Sequence, residues 1–249
     1  MSYLNTKPFL YGIEHSAVKD EIELSVDYPA ALARKLRAGE IDMALLPVAV
    51  LPTLPEYHFV GDYGIACDGE VASVALFSKV PLEEVQTILL DYQSRTSVAL
   101  LKILCAQYWK ITPELVDTRE DFASRIEGST AGLIIGDRAL EQLQNFPFVY
   151  DLGSAWKEFI GLPFVFAAWV SDKVLPADFV ERFRMACAEG VAGIDAVVAE
   201  NPYSFYDLKT YYTRNIHFLL NEEKHKAIER FLGYLNHLKI HIPVSTKVL

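Results

Sequence analysis

The chain has 249 residues, of which 51% are hydrophobic and 22% are charged, so it can bury the core of one large domain or of two lobes. No apolar run approaches the ~20 residues that span a bilayer, and the first residues do not form a signal peptide, which predicts a cytoplasmic protein with no membrane partner. The formal charge of -10 and the lack of a basic block predict no nucleic-acid partner. Cys67, Cys105 and Cys187 are odd in number and widely spaced, which favours buried thiols over a disulfide framework.

The chain opens on MSYLNTKPFLYGI, which is more apolar and aromatic than a surface tail and is typical of a strand that runs into a pocket. The following DYPAALARKLRAGEIDMALLPVAV predicts a helix and then a strand. Asp27 is a candidate N-cap, Pro29 suits the first turn, and Gly39 can adopt the left-handed conformation that ends a helix. The strand predicted from IDMALLP is short and buried and ends at Pro47.

Two later segments continue this alternation of strand and helix. TILLDYQSRTSVALLKILCAQYW predicts a strand, a polar turn and a helix, and AGLIIGD predicts a strand that stops at Gly136 and Asp137. The last third predicts one helix within residues 177–199 and another near 222–238, each with an apolar stripe typical of core packing. The alternation indicates an α/β fold with mostly parallel sheets.

The chain contains no Gly/Ser-rich linker, so two lobes would have to be joined by ordered strands. The segments at 71–79 and 161–170 are long, apolar and β-prone, and they are the two candidates for these hinge strands. Two crossings predict a cleft between the lobes. The corresponding division puts residues 1–76 and 167–249 in one lobe, with the C-terminal helices, and residues 77–166 in the other.

Several familiar catalytic signatures are absent from the sequence. There is no Gly-x-Ser-x-Gly elbow, no phosphate-binding Walker loop, no dinucleotide-binding Gly-x-Gly-x-x-Gly and no His-Glu-x-x-His. Their absence argues against the corresponding hydrolases, kinases, dehydrogenases and metalloproteases.

The polar cluster SRTS lies between a predicted strand and a predicted helix. Ser94, Thr96 and Ser97 would stand beside backbone N–H groups that have no partner within the helix, and such a terminus binds carboxylates. The alternative is that one hydroxyl only caps the helix. Ser73 could face a crowded neighbour in its strand, and Asp137 could be a turn residue or a helix cap. Taken singly, none of these residues indicates a function.

Six motifs occur in this order along the chain: SYLNTKPF, GEIDMALLPVA, DGEVASVALFSK, DYQSRTSVALLKIL, LIIGDRAL and DLGSAWKEFIGLPFVFAAW. Taken together, they resemble the chorismate dehydratases of the futalosine route to menaquinone. The resemblance extends from Ser2 to about Leu238, which is most of the chain. It implies the fold of type 2 periplasmic solute-binding proteins, with two α/β lobes around a cleft, used in the cytoplasm as an enzyme.

The resemblance also implies a reaction, in which chorismate loses water and becomes 3-[(1-carboxyvinyl)oxy]benzoate. The ring carbon that bears the enolpyruvyl ether loses a proton, and the neighbouring carbon loses hydroxide. Positioning and hydrogen bonding suffice for this step, so we expect no metal and no other cofactor. The family motifs place Asn5 and Ser73 as catalytic residues closest to the reacting carbons. The expected substrate-binding residues are Ser94, Thr96, Ser97, Gly136 and Asp137.

Two other functions remain open at this stage. A non-catalytic solute-binding protein for small carboxylates would share the fold. The related dihydroxynaphthoate-forming enzyme of the same pathway uses a histidine base where this chain has Gly136 and Asp137. The chain also departs from the family pattern, because Ile160 replaces the usual threonine and few residues precede the Ser-Tyr-Leu-Asn motif, which in the family follows a first strand.

Overall fold

The computed structural model describes residues 3–27 and 29–240, and within these ranges the fold is built on two β-sheets. The strands are β1 (Ala44–Pro47), β2 (His58–Cys67), β3 (Val74–Ser78), β4 (Thr87–Leu90), β5 (Glu114–Asp117), β6 (Thr130–Ile135), β7 (Phe148–Asp151), β8 (Phe164–Ser171) and β9 (His217–Leu219). The helices are α1 (Lys7–Glu14), α2 (Pro29–Arg37), α3 (Arg95–Ile103), α4 (Asp137–Gln142), α5 (Leu152–Ile160), α6 (Ala177–Ala192), α7 (Ile194–Glu200), α8 (Leu208–Thr210) and α9 (Glu222–His237).

The two sheets define two lobes. The first sheet has the order β1-β8-β2-β9, and the second has the order β5-β4-β6-β3-β7. The chain leaves the first lobe after β2, builds the whole second lobe from β3 to β7, and returns through α5 to β8. The mixed α/β, two-lobed fold class predicted from the sequence is therefore confirmed.

The sheets are not mostly parallel, so that prediction is wrong. In the described residues only β4 pairs in parallel fashion, with β5 and β6, whereas β8 runs antiparallel to both β1 and β2. β3 is likewise antiparallel to β6 and β7. The physical reason is that the chain enters β3 and β8 from the other lobe. Each of these two strands is therefore antiparallel to its neighbours in the sheet that it joins.

The predicted hinge strands lie close to the crossings but do not make them. β3 belongs wholly to the second sheet and β8 wholly to the first, although the predicted segments were 71–79 and 161–170. The backbone changes sheets just before each strand, between Cys67 and Val74 and again between Asp151 and Phe164. Both predicted strands exist, but each begins after its crossing is complete.

Most of the predicted local elements are present. α2 begins at Pro29, and Gly39 beyond its end has a φ of +67°, in the left-handed region where glycine is favoured. The predicted cap Asp27 stays a prediction, because the residue that precedes α2 lies outside the described residues. The single helix expected within 177–199 is two, since α6 ends before Gly193 and α7 begins after it.

Helices α1 and α6 cross with almost no space between their backbones. A Cβ atom on Gly12 would lie 1.9 Å from the carbonyl oxygen of Ala186, and one on Gly190 would lie 1.9 Å from that of Pro8. Only glycine allows this approach. Because α1 begins two residues after Asn5, the crossing anchors Asn5 to the first lobe.

The interior is apolar and contains the three thiols. Cys67, Cys105 and Cys187 are all buried and unpaired with one another. Burial raises the pKa of Cys105 and of Cys187 to about 12, so both stay protonated and unreactive near neutral pH.

In residues 3–27 and 29–240, no helix is long and apolar enough to cross a bilayer. The cytoplasmic location stays a prediction.

Candidate active site

A cavity of about 260 Å³ lies between the lobes and is the candidate active site. The first lobe contributes apolar side chains, including those of Phe9, Ile65, Phe166 and Trp169. The second lobe contributes a mostly polar rim. The second-lobe residues of the lining are Ser73, Val74, Gln93, Ser94, Ser97, Ile135 and Gly136.

Tyr3 connects the two lobes across the cavity. Its hydroxyl donates a hydrogen bond to Oε1 of Gln93, which precedes α3. Its ring lies against Gly136, where an added Cβ would come within 2.8 Å of the Tyr3 ring and where φ is +65°. Gly136 therefore satisfies two needs that a larger residue could not, a left-handed backbone and room for the tyrosine.

Asn5 and Ser73, the two predicted catalytic residues, are brought together by a third residue. Both line the cavity, although 68 positions separate them in the chain. The hydroxyl of Tyr211, which is fully buried, donates to Ser73 Oγ at 2.8 Å and also interacts with the Asn5 side chain. Asn5 lies in a single 3₁₀ turn, Leu4–Thr6, which the Tyr212 hydroxyl fixes by donating to the Leu4 carbonyl at 2.9 Å.

Ser73 is held in place by its backbone neighbours. Ala72 has a φ of +60°, which costs energy for a residue with a side chain and needs support from its surroundings. The Asp151 carboxylate provides that support by accepting from the Ala72 amide at 2.7 Å and from the Val71 amide at 3.1 Å. Gly136 completes the turn by donating its amide to the Ser73 carbonyl at 2.7 Å.

The buried Asp151 carboxylate has a structural role, which is to hold the backbone before Ser73. It also caps α5 by accepting from the Ser154 amide at 2.9 Å. Burial raises the pKa of Asp151 to about 6, against the lowering effect of these three amides. The carboxylate is therefore ionised at neutral pH and holds the turn before Ser73.

The N-terminus of α3 reaches the cavity, and its polar cluster performs the capping task considered from the sequence. Ser94 is the N-cap and accepts from the Ser97 amide at 3.0 Å, which is the capping role. Ser94 and Ser97 also line the cavity, and the Ser94 hydroxyl donates to Ser97 Oγ at 2.8 Å. That bond leaves the Ser97 proton free to donate to a ligand.

The structure does not bring Thr96 or Asp137 into the cavity lining. Thr96 points to the other side of α3, where its Oγ1 accepts from the Ala49 amide at 3.2 Å. Asp137 accepts from the Leu4 amide at 3.1 Å, and its own carbonyl accepts from the Tyr203 hydroxyl at 3.0 Å. Both residues fasten the walls of the site, and the direct substrate contacts predicted for them have no support in this geometry. Ile160, the departure from the family pattern, packs on the core and is likewise outside the lining.

The lining carries no positive charge among the described residues. It contains no lysine, arginine or histidine, and its two carboxylates are Glu23 and Asp27. Asp27 is paired with Lys35 at 2.9 Å. An anion in this cavity would therefore be held by hydroxyl, amide and backbone N–H donors rather than by an ion pair.

Sequence reasoning missed Tyr3, Gln93 and Tyr211 as parts of the site. Tyr3 lies inside the SYLN motif and Gln93 inside DYQSRTS, so attention to every polar residue of those motifs could have found both. Tyr211 lies in YDLKTYYTRN, which belongs to none of the six motifs. Nothing in its local pattern distinguishes it from a core tyrosine.

The sequence and the fold match known proteins over most of the chain. Residues 1–237 match the family described as menaquinone biosynthesis. The chain is 30% identical over 189 residues to a chorismate dehydratase of Thermus thermophilus, a match that covers 68% of this chain and 69% of that protein.

Two solved structures show the same fold. One is protein AF1704 from Archaeoglobus fulgidus, with a TM-score of 0.74, 17% identity and 96% of each chain covered. The other is the alkanesulfonate-binding protein SsuA from Xanthomonas axonopodis pv. citri bound to MOPS, with a TM-score of 0.66, 10% identity, and 96% of this chain and 92% of that chain covered. These identities support the fold alone, which is that of solute-binding proteins. From the family match and the curated relative, the chain belongs to the menaquinone biosynthesis family.

Proposed function

We propose that this protein is a chorismate dehydratase, a carbon-oxygen lyase that converts chorismate to 3-[(1-carboxyvinyl)oxy]benzoate and water in futalosine-route menaquinone biosynthesis. The observation that carries the proposal is the pairing of Asn5 and Ser73 through Tyr211 at the wall of the inter-lobe cavity. These are the two residues that the family motifs assign to the reacting carbons. The 30% identical relative, which is named for this activity, supports the same reaction.

The proposed roles follow from the donors and acceptors of the site. Ser73 donates a hydrogen bond to the hydroxyl that departs from the ring. Asn5 Oδ1, which is buried and has no hydrogen-bond partner among the described residues, accepts from the same hydroxyl. A buried acceptor left unpaired costs about 1–3 kcal/mol, and a substrate donor would recover that cost on binding.

The carboxylates of the substrate need donors, and the N-terminus of α3 supplies them. The Ser97 hydroxyl has a free proton, Ser94 lies beside it, and the first turn of the helix contributes a favourable dipole. Gly136 also lines the cavity.

The proton removed from the ring goes, in this proposal, to the enolpyruvyl carboxylate of the substrate itself. Neither Asn5 nor Ser73 is a base near neutral pH, and burial raises the pKa of Tyr3 further above its ordinary value. Among described residues the lining offers only Glu23 and Asp27 as carboxylate bases. Glu23→Gln should therefore retain turnover, and a loss of roughly 10² in kcat would place the base on the protein instead.

The deciding experiment gives the purified, chelator-treated protein chorismate alone. The elimination is redox-neutral and ends in an aromatic ring, so we expect the ultraviolet spectrum to change from that of a cyclohexadiene to that of a benzoate. Chromatography must identify the enolpyruvyl benzoate and exclude prephenate and 4-hydroxybenzoate from uncatalysed decay. Binding without turnover would favour a solute-binding protein, and no interaction with chorismate would favour the later pathway enzyme. No product above background from folded protein would contradict the proposal.

Carboxylate capture by α3 is tested with Ser97→Asp. The new charge lies where a substrate anion would sit, so we expect the KM for chorismate to rise by roughly tenfold or more through repulsion. Thermal melts must accompany the kinetics, because an acidic residue suits the first turn of a helix but Ser97 is only 2% exposed and burial penalises the new charge. Ser97→Asn is the matched control, since it has nearly the same shape without the charge. Equal KM values in the two variants would move the anion site elsewhere.

A further inference from the structure

We propose that Tyr211 is a positioning residue for this reaction and that its hydroxyl turns Ser73 into a hydrogen-bond donor toward the cavity. The inference rests on the proposed function and adds to it a residue outside the six sequence motifs. Tyr211 does not line the cavity, so it acts through Ser73 rather than on the substrate.

The position of Tyr211 leaves its hydroxyl little choice of partner. The side chain is fully buried, and its ring packs edge-on to Tyr206 and tilted against Tyr212, with centroids 6.2 and 5.5 Å away. It begins a π-helical segment, Tyr211–Asn215, that continues α8. The widened turn lets two consecutive tyrosines point inward, one to Ser73 and one to the Leu4 carbonyl.

Counting protons and lone pairs shows what this contact does. A serine hydroxyl has one proton and two acceptor sites. Tyr211 donates to Ser73 Oγ and so fills one acceptor site without using the serine's proton. Within residues 3–27 and 29–240, the structure shows no protein acceptor for that proton. It is therefore available to a hydroxyl in the cavity.

The Asn5 side chain lies beside the same tyrosine hydroxyl and interacts with it. Asn5 Oδ1 is buried and has no hydrogen-bond partner among the described residues, so it is an open acceptor. The cavity then has one donor and one acceptor side by side, which is the arrangement that a hydroxyl group can satisfy from both sides.

The hydrogen bond from Tyr211 to Ser73 persists over a wide pH range. Burial raises the pKa of Tyr211 far above its ordinary value, so its proton stays in place under assay conditions. The Tyr211 hydroxyl therefore acts as a fixed donor and not as an acid that exchanges with the substrate.

The test compares Tyr211→Phe with Tyr206→Phe. Tyr206 packs against Tyr211, and its hydroxyl donates to Asn215 Oδ1 at 3.0 Å, outside the cavity lining. For Tyr211→Phe we expect kcat to fall by roughly tenfold or more, with KM within about twofold of wild type and a normal thermal melt. Tyr206→Phe should lose less than about threefold in kcat.

A double variant separates positioning from general destabilisation. If Tyr211 acts through Ser73, then adding Tyr211→Phe to Ser73→Ala should cause no further loss of kcat, whereas independent effects would multiply. If the wild type converts chorismate, either of two results would overturn this inference alone. One is full kcat in Tyr211→Phe, and the other is a multiplicative loss of kcat in the double variant. A folded wild type without activity would overturn the proposed function and this inference together.

Discussion

Ser73→Ala is expected to lower kcat for chorismate by roughly 10² or more without unfolding the protein, and Asn5→Ala should do the same. Ser73→Ala removes a donor whose hydrogen bond strengthens as hydroxide leaves, and such an interaction affects kcat rather than KM. Asn5→Ala removes the acceptor that orients the departing hydroxyl. Steady-state kinetics on variants with normal melting curves provide the measurement.

Ser78→Ala is the control for the serine. Ser78 is also buried and is the last residue of β3, the strand that Ser73 immediately precedes, and its Oγ accepts from the Val80 amide at 3.1 Å. Ser78→Ala removes a buried hydroxyl, as Ser73→Ala does, but Ser78 does not line the cavity. Wild-type turnover in Ser73→Ala, or an equal loss in Ser78→Ala, would refute the assigned role.

Gly190→Ala is expected to have the largest effect on stability. Its new methyl group would lie 1.9 Å from the Pro8 carbonyl oxygen, and both atoms belong to helix backbones that cannot rotate away. The helices α1 and α6 would have to separate, at a cost of roughly 3 kcal/mol or more in the free energy of unfolding. That is a large share of the ~5–15 kcal/mol that stabilises a typical domain.

Gly233→Ala is the matched control, because Gly233 also lies inside a helix, α9, but has nothing within 4 Å of an added Cβ. There the exchange should stabilise the protein by about 0.5–1 kcal/mol, through helix propensity alone. Denaturant unfolding of both variants measures the difference. Equal stabilities would mean that α1 and α6 can shift apart freely, and that Asn5, which closely precedes α1, is not fixed by this crossing.

Local features were predictable from the sequence, and long-range ones were not. β1 ends at Pro47 and α3 begins after Ser94 because proline and a capping hydroxyl act on their immediate neighbours. The direction of β3 and β8 depends on which lobe the chain comes from, and no local pattern records that. The error about parallel sheets has this origin.

The candidate site shows the same division. Successive residues of a helix point about 100° apart, so of Thr96 and Ser97 only one could face the cavity, and the helix pattern alone could not decide which. Asp137 follows a strand end that points at the cavity, yet its carboxylate is used by the Leu4 amide. Tyr211 meets Ser73 across 138 positions of chain, a contact that only the folded structure reveals.

The lack of positive charge in the described cavity lining affects how an anion reaches it. A protein of net charge -10 repels a dianion at a distance, and the described lining has no cation to reverse that field close to the site. Salt shortens the reach of the repulsion to about 8 Å at physiological ionic strength. For the proposed substrate, added salt would then speed the encounter, whereas a pocket built around arginine would lose its attraction. The protein therefore relies on the ions of its surroundings for the approach of an anion, and on neutral hydrogen bonds for its capture.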